Sequence, residues 1–445
     1  AKLANCSLRE IDFTAASVAP IVFASSDLTN ARFDGLALGN ADLRETTLDG
    51  ARFVGTQLEG ARLAGARGAG VDMSGARLEG CDLSGTTLLE SQLVGAILRK
   101  ATVANTDLTA SNLTRADLRM SEWSEATLAQ VDMRGAILGP TSFDECDFTE
   151  ANLSGLSFER LSVTRSHVEN ANLGGASFRG ADLSETEFSV SFAGDVDFTE
   201  ANLFRATFTE VALPRAKLTN ARLEGAELAG CTLQQTDLRG ADLTDADIAG
   251  HDLTECSISG GTIFERTILS GVNASGVEFT GCNMKQADLT EANLQGARFQ
   301  DADLRKVLFM KSQLDRAMIL KANAEMADFS EASLFEADLR GSAFKLSLFK
   351  KVKANRARFD LANLEHASFI GADLRQASFA HARCRYADFS HAQLDMASFR
   401  DADLVQANMH RATNAGADLR GADTTDIRPT DESLAKAEDV KPPAL

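Results

Sequence analysis

Residues 41–55 read Ala41-Asp42-Leu43-Arg44-Glu45, Thr46-Thr47-Leu48-Asp49-Gly50, Ala51-Arg52-Phe53-Val54-Gly55. A large apolar residue stands third in each quintet, and a small residue stands two places before it. In both directions from this stretch the same register covers most of the 445 residues. Towards the N-terminus the centres are Leu38, Phe33, Leu28, Phe23, Val18, Phe13, Leu8 and Leu3. In the other direction they continue to Ile258 without a slip, 52 centres in all. A second series of 33 runs from Phe264 to Thr424. The two series are out of phase by one residue. The surplus falls at Gly261, and one inserted glycine in a strand-like array reads as a bulge. A period of five matches neither a helix nor a flat strand. A fixed short period over such a length marks a repeat architecture.

Length alone gives an expectation of about three domains. The unbroken register argues instead for one elongated body over residues 1–425, because a solenoid grows by adding units. A C-terminal cap helix and flexible tail over 426–445 complete the expected organisation. No apolar run approaches the ~18 residues of a membrane span. Ala1-Lys2-Leu3-Ala4-Asn5 is not a signal peptide, has no initiating Met, and already lies inside a repeat. A solenoid usually carries a polar cap on its first coil. The expectation is that an N-terminal segment or domain preceded residue 1.

The units Ala41-Asp42-Leu43-Arg44-Glu45, Ala151-Asn152-Leu153-Ser154-Gly155 and Ala241-Asp242-Leu243-Thr244-Asp245 resemble the pentapeptide-repeat family, with its consensus A(D/N)LXX. The resemblance covers roughly residues 1–425. It implies an all-β fold, a right-handed quadrilateral β-helix in which each pentapeptide makes one side of a square. Four units then close one coil, and at ~4.8 Å per coil about 21 coils give a rod on the order of 100 Å long. The residues agree with this. Phe309, Phe329, Phe349, Phe369 and Phe389 are spaced by 20, as are Phe359, Phe379 and Phe399 on the opposite side. Thinner centres lie between them: Leu314, Leu334, Ala354, Leu374 and Leu394. Of 26 phenylalanines, 23 occupy centres, and Phe192, Phe204 and Phe335 do not. Two facing aromatic columns with slimmer ones between fill a square lumen at even density.

No catalytic constellation stands out. Cys6, Cys81, Cys146, Cys231, Cys256 and Cys282 sit where the small residue belongs, and Cys384 sits at a centre. They read as small buried hydrophobes in a reducing compartment, with no CxxC and no disulfide. Five of the six histidines (His167, His366, His381, His391, His410) fall at outward positions, and His251 takes a small-residue place. His381 and His391, ten apart, fall on opposite sides, so neither a triad nor a metal cluster is expected. No cofactor is expected. Acids preceding the centres, such as Asp42, Asp82 and Asp242, read as solvated ladders and not as acid/base dyads. The sequons at 112–114 and 152–154 are by-products of the repeat.

Charge is uneven. The net charge is −19, and residues 1–300 hold 42 acids against 24 bases, whereas 301–400 hold 13 against 16. The basic run is Lys345, Lys350, Lys351, Lys353, Arg356 and Arg358, with Arg305, Lys306, Lys311, Arg316 and Lys321 before it. Net charge and the lack of an aromatic stacking platform speak against direct nucleic-acid binding. Met326, Leu346, His366 and Tyr386 share one outward register position at 20-residue spacing. An apolar stripe of this kind beside a basic run marks a candidate protein interface. At the C-terminus, Pro429–Asp439 reads as a short helix with Thr430 as N-cap and Asp431 and Glu432 complementing the dipole. Leu434 and Ala437 are expected to fold back over the last coil, where the weak centres Asn414 and Thr424 suggest fraying. Lys441–Leu445 reads as a loose tail.

The expected function is a non-enzymatic protein–protein interaction scaffold in the bacterial cytoplasm, without membrane contact. Long repeat regions of this kind resemble the C-terminal halves of bacterial type VI secretion accessory proteins. The alternative is a DNA mimic, since some members of the family resemble B-form DNA in width and charge and protect DNA gyrase from inhibitors. The acidic portion 1–300 suits that alternative. Those relatives are much shorter, however, and they dimerise through a C-terminal module that this tail is too small to match.

Overall fold

The computed structural model describes residues 2–16 and 21–439. The centre expected at Val18 and the tail Lys441–Leu445 lie outside the described residues. The chain forms two compact units, Ala1–Thr236 and Asp237–Leu445. Each is a β-solenoid of parallel, stacked coils. Among the described residues, no helix is long and apolar enough to cross a membrane.

One quintet shows why this sequence folds this way. In Ala151-Asn152-Leu153-Ser154-Gly155 every backbone N–H has an acceptor. Ala151 N–H donates to Phe148 O at 3.0 Å, closing a turn. Asn152 N–H reaches back one coil to Val131 O at 2.9 Å. Leu153 and Gly155 reach forward to Asn172 O and Gly174 O, both at 3.0 Å. The remaining donor, Ser154 N–H, is taken by the Asn152 side-chain oxygen at 3.3 Å. Complete satisfaction of this kind is what a buried backbone requires. It also explains the consensus. Asp or Asn precedes the centre because its short side chain can accept from the N–H two residues on. Thr109 N–H on Asp107 (3.0 Å) and Thr114 N–H on Asn112 (3.0 Å) repeat the arrangement. The fifth residue turns the corner in the left-handed region, with φ 67° at Gly155 and φ 58° at Asn40.

Register follows the same rule. In the first unit, Thr102–Ala104, Glu122–Ser124, Ser142–Asp144 and Ser162–Thr164 pair in parallel at a step of 20 residues, and His167–Glu169 to Glu227–Ala229 form a second such sheet. In the second unit, Asp237 pairs with Ser257, but Asp242 pairs with Ile263, a step of 21, and Ile263 pairs with Asn283 at 20 again. The surplus residue is absorbed between Ser257 and Ile263, where Thr262 Oγ1 donates to Leu238 O at 3.0 Å.

The core lies inside the coils. Phe329–Phe349 and Phe359–Phe379 stack at 4.9 Å with planes 3° apart. The two columns meet edge to face, Phe349–Phe359 at 5.6 Å and 90°, which is the favoured quadrupole geometry. Trp123 is buried at a centre of the first unit, its indole N–H on Ser121 Oγ at 2.7 Å. Hydroxyls at the small-residue positions are satisfied by carbonyls, for example Thr56 Oγ1 on Phe33 O at 2.8 Å. Gly68 is the one glycine at a centre of the first series. A Cβ there would lie 2.7 Å from the Leu48 carbonyl carbon.

The C-terminal helix α1 (Glu432–Glu438) differs from the sequence reading in two respects. Its N-cap is Asp431, not Thr430: the Asp431 carboxylate accepts from Ser433 N–H (2.8 Å) and Leu434 N–H (3.0 Å). Thr430 Oγ1 is used elsewhere, accepting from Arg411 N–H at 3.1 Å. Leu434 stays 48% exposed, while Ala435 is buried. The helix is held by polar contacts more than by the expected apolar pair.

Candidate functional site

The repeat places its fifth residues on corners, where the left-handed backbone aims each side chain outward. Met326, Leu346, His366 and Tyr386 occupy successive positions of one corner column in the second unit, with φ 57–61°. Met326 is 50% exposed and Tyr386 39%. The His366 imidazole stacks on the Tyr386 ring at 4.7 Å, 5° from parallel. Leu348 and Ile370 stand half-buried on the wall that follows this corner.

The basic run divides into two groups. Lys345 pairs with Glu365 at 3.4 Å, Arg356 with Glu336 at 3.4 Å, and Arg358 with Asp360 at 3.4 Å. Lys350, Lys351 and Lys353 are exposed, and none lies within 4.0 Å of a carboxylate among the described residues. The earlier cations are also split: Arg305, Lys311 and Arg316 have acidic partners, while Lys306 and Lys321 have none among the described residues. Sequence order alone could not separate the neutralised cations from the available ones.

Acids before the centres are more deeply engaged than solvated ladders. Asp42 is 5% exposed, and its carboxylate receives Arg44 Nε and Nη2, both at 2.8 Å, and Arg62 Nη2 at 3.0 Å. Asp117 is held likewise by Arg119 and Arg99. The hydrogen bond from Arg119 is the main cause that keeps the Asp117 carboxyl well below the usual carboxylate range. These are structural staples. Burial also keeps the core thiols protonated. Burial pushes Cys81, Cys146 and Cys282 up to about 12 and Cys231 up to about 11, and raises Cys384 as well.

One cluster was missed. His391 and His410 lie 19 residues apart, so they face each other on adjacent coils, rings 5.4 Å apart. Glu438 of α1 closes the group, 3.5 Å from His391 Nε2 and 3.2 Å from His410 Nε2. His410, an outward position by register, is buried because α1 lies over it. The three side chains converge as metal ligands would. Their proton chemistry does not fit. His410 Nδ1 accepts the Asp431 backbone N–H at 3.1 Å, so Nε2 carries the proton and points it at Glu438. A metal at Nε2 needs the opposite tautomer. Arg411 Nε also lies 3.2 Å from the same carboxylate and repels a cation. The hydrogen bond from His410, with the Arg411 guanidinium adding to it, lowers the Glu438 carboxyl. The cluster is a latch for α1. The signal available in sequence was the 19-residue spacing, one short of a coil, and nothing marked Glu438 as its partner.

Val190 (52% exposed) and Phe192 (53%) stand two residues apart in the first unit, and the other outward apolars are scattered. Leu361 (66% exposed) and Met396 (64%) stand on different corners from the column. Arg205 covers Phe204 at 5.0 Å and Arg356 covers Phe335 at 6.0 Å, which accounts for both rings.

The pentapeptide-repeat family model matches residues 26–85, 88–121, 126–161, 164–189, 221–319 and 357–423 in overlapping segments. The chain belongs to the pentapeptide-repeat family. No match was found among curated protein sequences. Similar solved structures include HetL, a pentapeptide repeat protein involved in heterocyst differentiation regulation from the cyanobacterium Nostoc sp. strain PCC 7120, at 23% identity, covering 64% of this chain and 90% of HetL, with a TM-score of 0.27. A pentapeptide repeat protein from the Arabidopsis thaliana thylakoid lumen is 32% identical over 25% of this chain and 69% of its own, with a TM-score of 0.17. QnrB1, a plasmid-mediated fluoroquinolone resistance protein, is 20% identical over 45% of this chain and 92% of its own, with a TM-score of 0.23.

Proposed function

We propose that this chain is a non-enzymatic scaffold that binds another protein through the corner column Met326, Leu346, His366 and Tyr386 and the cations beside it. The observation that carries the reading is the His366–Tyr386 stack, an exposed aromatic pair at 4.7 Å set in an apolar column. Aromatic anchors of low conformational entropy are favoured at interfaces. Asp42 and Asp117 are engaged in staples, five of the thiols are buried in the core, and His391, His410 and Glu438 form the α1 latch. The proposed setting is the bacterial cytoplasm, which suits seven cysteines placed in core or small-residue positions. A role as a type VI secretion accessory is one member of this class and rests on the length of the repeat. The test is affinity capture with the intact chain, Tyr386→Ala and Leu346→Asp, followed by titration of the purified partner. Loss in both variants is expected. Equal partner binding by all three removes the column as the interface.

A second reading is a DNA mimic centred on the first unit, which holds 32 acids against 20 bases. Asp147, Glu187 and Glu227 fall on alternate coils of one column, regularly spaced carboxylates on one wall. Purified DNA gyrase with duplex DNA as competitor tests it, and no binding at low salt rejects it.

A further inference from the structure

The lateral walls of the second unit have no strand edge to offer. Leu346 N–H is bonded to Glu365 O (3.0 Å), Lys351 N–H to Ile370 O (2.9 Å) and Tyr386 N–H to Val405 O (3.0 Å), all along the stacking direction. A partner on this wall therefore cannot add a strand and must present side chains. The wall offers two kinds. Leu346, His366 and Tyr386 form the apolar rim, with Leu348 and Ile370 beside it. Lys350 and Lys351 follow on the same turn of chain, exposed and without an acidic partner within 4.0 Å among the described residues. The acids facing this wall are committed or set aside. Glu365 holds Lys345 at 3.4 Å, Asp388 takes Asn408 Nδ2 at 2.9 Å, and Asp328 takes Ser330 N–H at 2.8 Å. Glu331 stands one coil before Lys351 on the same corner, outside ion-pair distance.

Spacing selects the kind of element. Neighbouring rim side chains are 4.7 Å apart at His366–Tyr386. A helix laid along the stack brings one side chain down per turn of about 5.4 Å, so it drifts by roughly 1.5 Å across three coils. It thus keeps step with Leu346, His366 and Tyr386 while its flank passes over Lys350 and Lys351. We infer that the partner element for this wall is an acidic amphipathic helix, with its apolar stripe on the Leu346–His366–Tyr386 rim and its carboxylates on Lys350 and Lys351. This rests on the contact face assigned under Proposed function and adds the chemistry of what covers it.

The test uses the full chain and two synthetic 18-residue helices that share one apolar stripe of leucine and phenylalanine. One is flanked by glutamate and the other by lysine. Binding is read by fluorescence anisotropy at about 50 mM salt, where surface charge is weakly screened. The charge-reversed protein carries Lys350→Glu and Lys351→Glu. Glutamate is tolerated at both places, since Glu331 and Glu336 occupy corners like that of Lys351 at φ 61° and 57°, and Glu325 and Glu365 hold the fourth place of their quintets as Lys350 does. The acidic helix is expected to bind the unaltered chain at least tenfold more tightly than the basic one, with the order inverted on the charge-reversed protein. Equal binding of the two helices, no binding of either, or acidic-helix binding untouched by charge reversal overturns the inference. Leu346→Asp separates the two readings. Loss of binding in Leu346→Asp, with none on charge reversal, keeps the contact face and rejects the acidic partner. No change in either variant rejects both.

Discussion

Phe349 has four ring neighbours, as many as any ring described in the second unit, and its truncation tests how far the stacked column carries stability. It stacks on Phe329 at 4.9 Å and Phe369 at 4.7 Å, and it meets Phe344 at 5.5 Å and Phe359 at 5.6 Å edge to face. Phe→Ala in a packed core costs about 3–5 kcal/mol, and the cost rises where surroundings cannot collapse into the void. Rings above and below Phe349 are pinned by backbone bonds of their own coils, so collapse is restricted and the upper end applies, about 4–5 kcal/mol. Phe264, with one ring neighbour at 5.9 Å, is the control, and about 3 kcal/mol is expected there. A repeat protein need not unfold in one step, so the readout is native-state hydrogen exchange at amides one coil either side of each substituted residue, Phe329 and Phe369 for Phe349→Ala and Leu243 and Met284 for Phe264→Ala. A loss below about 2 kcal/mol at Phe349, or one no larger than at Phe264, would refute the column as the main source of local stability.

Three further outcomes follow from the same geometry. Val190 turns its corner at φ 46°, a region hostile to a β-branched residue, and its side chain is 52% exposed; Val190→Asn is expected to stabilise the first unit by about 1 kcal/mol, measured by denaturant unfolding. The folded Asp117 carboxyl is depressed, chiefly by Arg119, so its contribution is present above the unfolded value near pH ~4 and is lost as pH falls below it; Asp117→Asn should flatten that acid limb of the stability curve. Glu438→Gln keeps the shape of the latch but removes the charge held by Arg411 (3.2 Å), and faster proteolysis within α1 than in the unaltered chain is the expected result.

The centre series was legible because a core residue recurs at fixed chemistry: a leucine or phenylalanine every fifth place has one way to be buried four times per coil. The aromatic columns, Phe309 to Phe389 and Phe359 to Phe399, followed from the 20-residue step alone. The role of Asp and Asn before each centre was harder to read, because an exposed acid and a turn-closing acid look alike in sequence. Asp42 differs from a solvated acid only through Arg44 and Arg62, whose reach depends on neighbouring coils. The same holds for the cations. Lys345 and Lys350 are indistinguishable until Glu365 is placed beside one and not the other. At the C-terminus, Thr430 and Asp431 are both good caps, and one residue of register decides between them. The His391–His410–Glu438 latch joins a diagonal step between coils to a helix outside the repeat, and no periodicity points to it.

The corner residues have a consequence for how such a chain changes over time. Backbone demand is met there by torsion angle alone, and asparagine, glutamate, lysine, methionine, tyrosine and glycine all meet it. What projects from a corner is thus nearly decoupled from what keeps the coils together. Mutation can redraw the exterior of the walls, post by post, while the interior is left alone, so binding preferences can diverge between relatives faster than the scaffold that displays them.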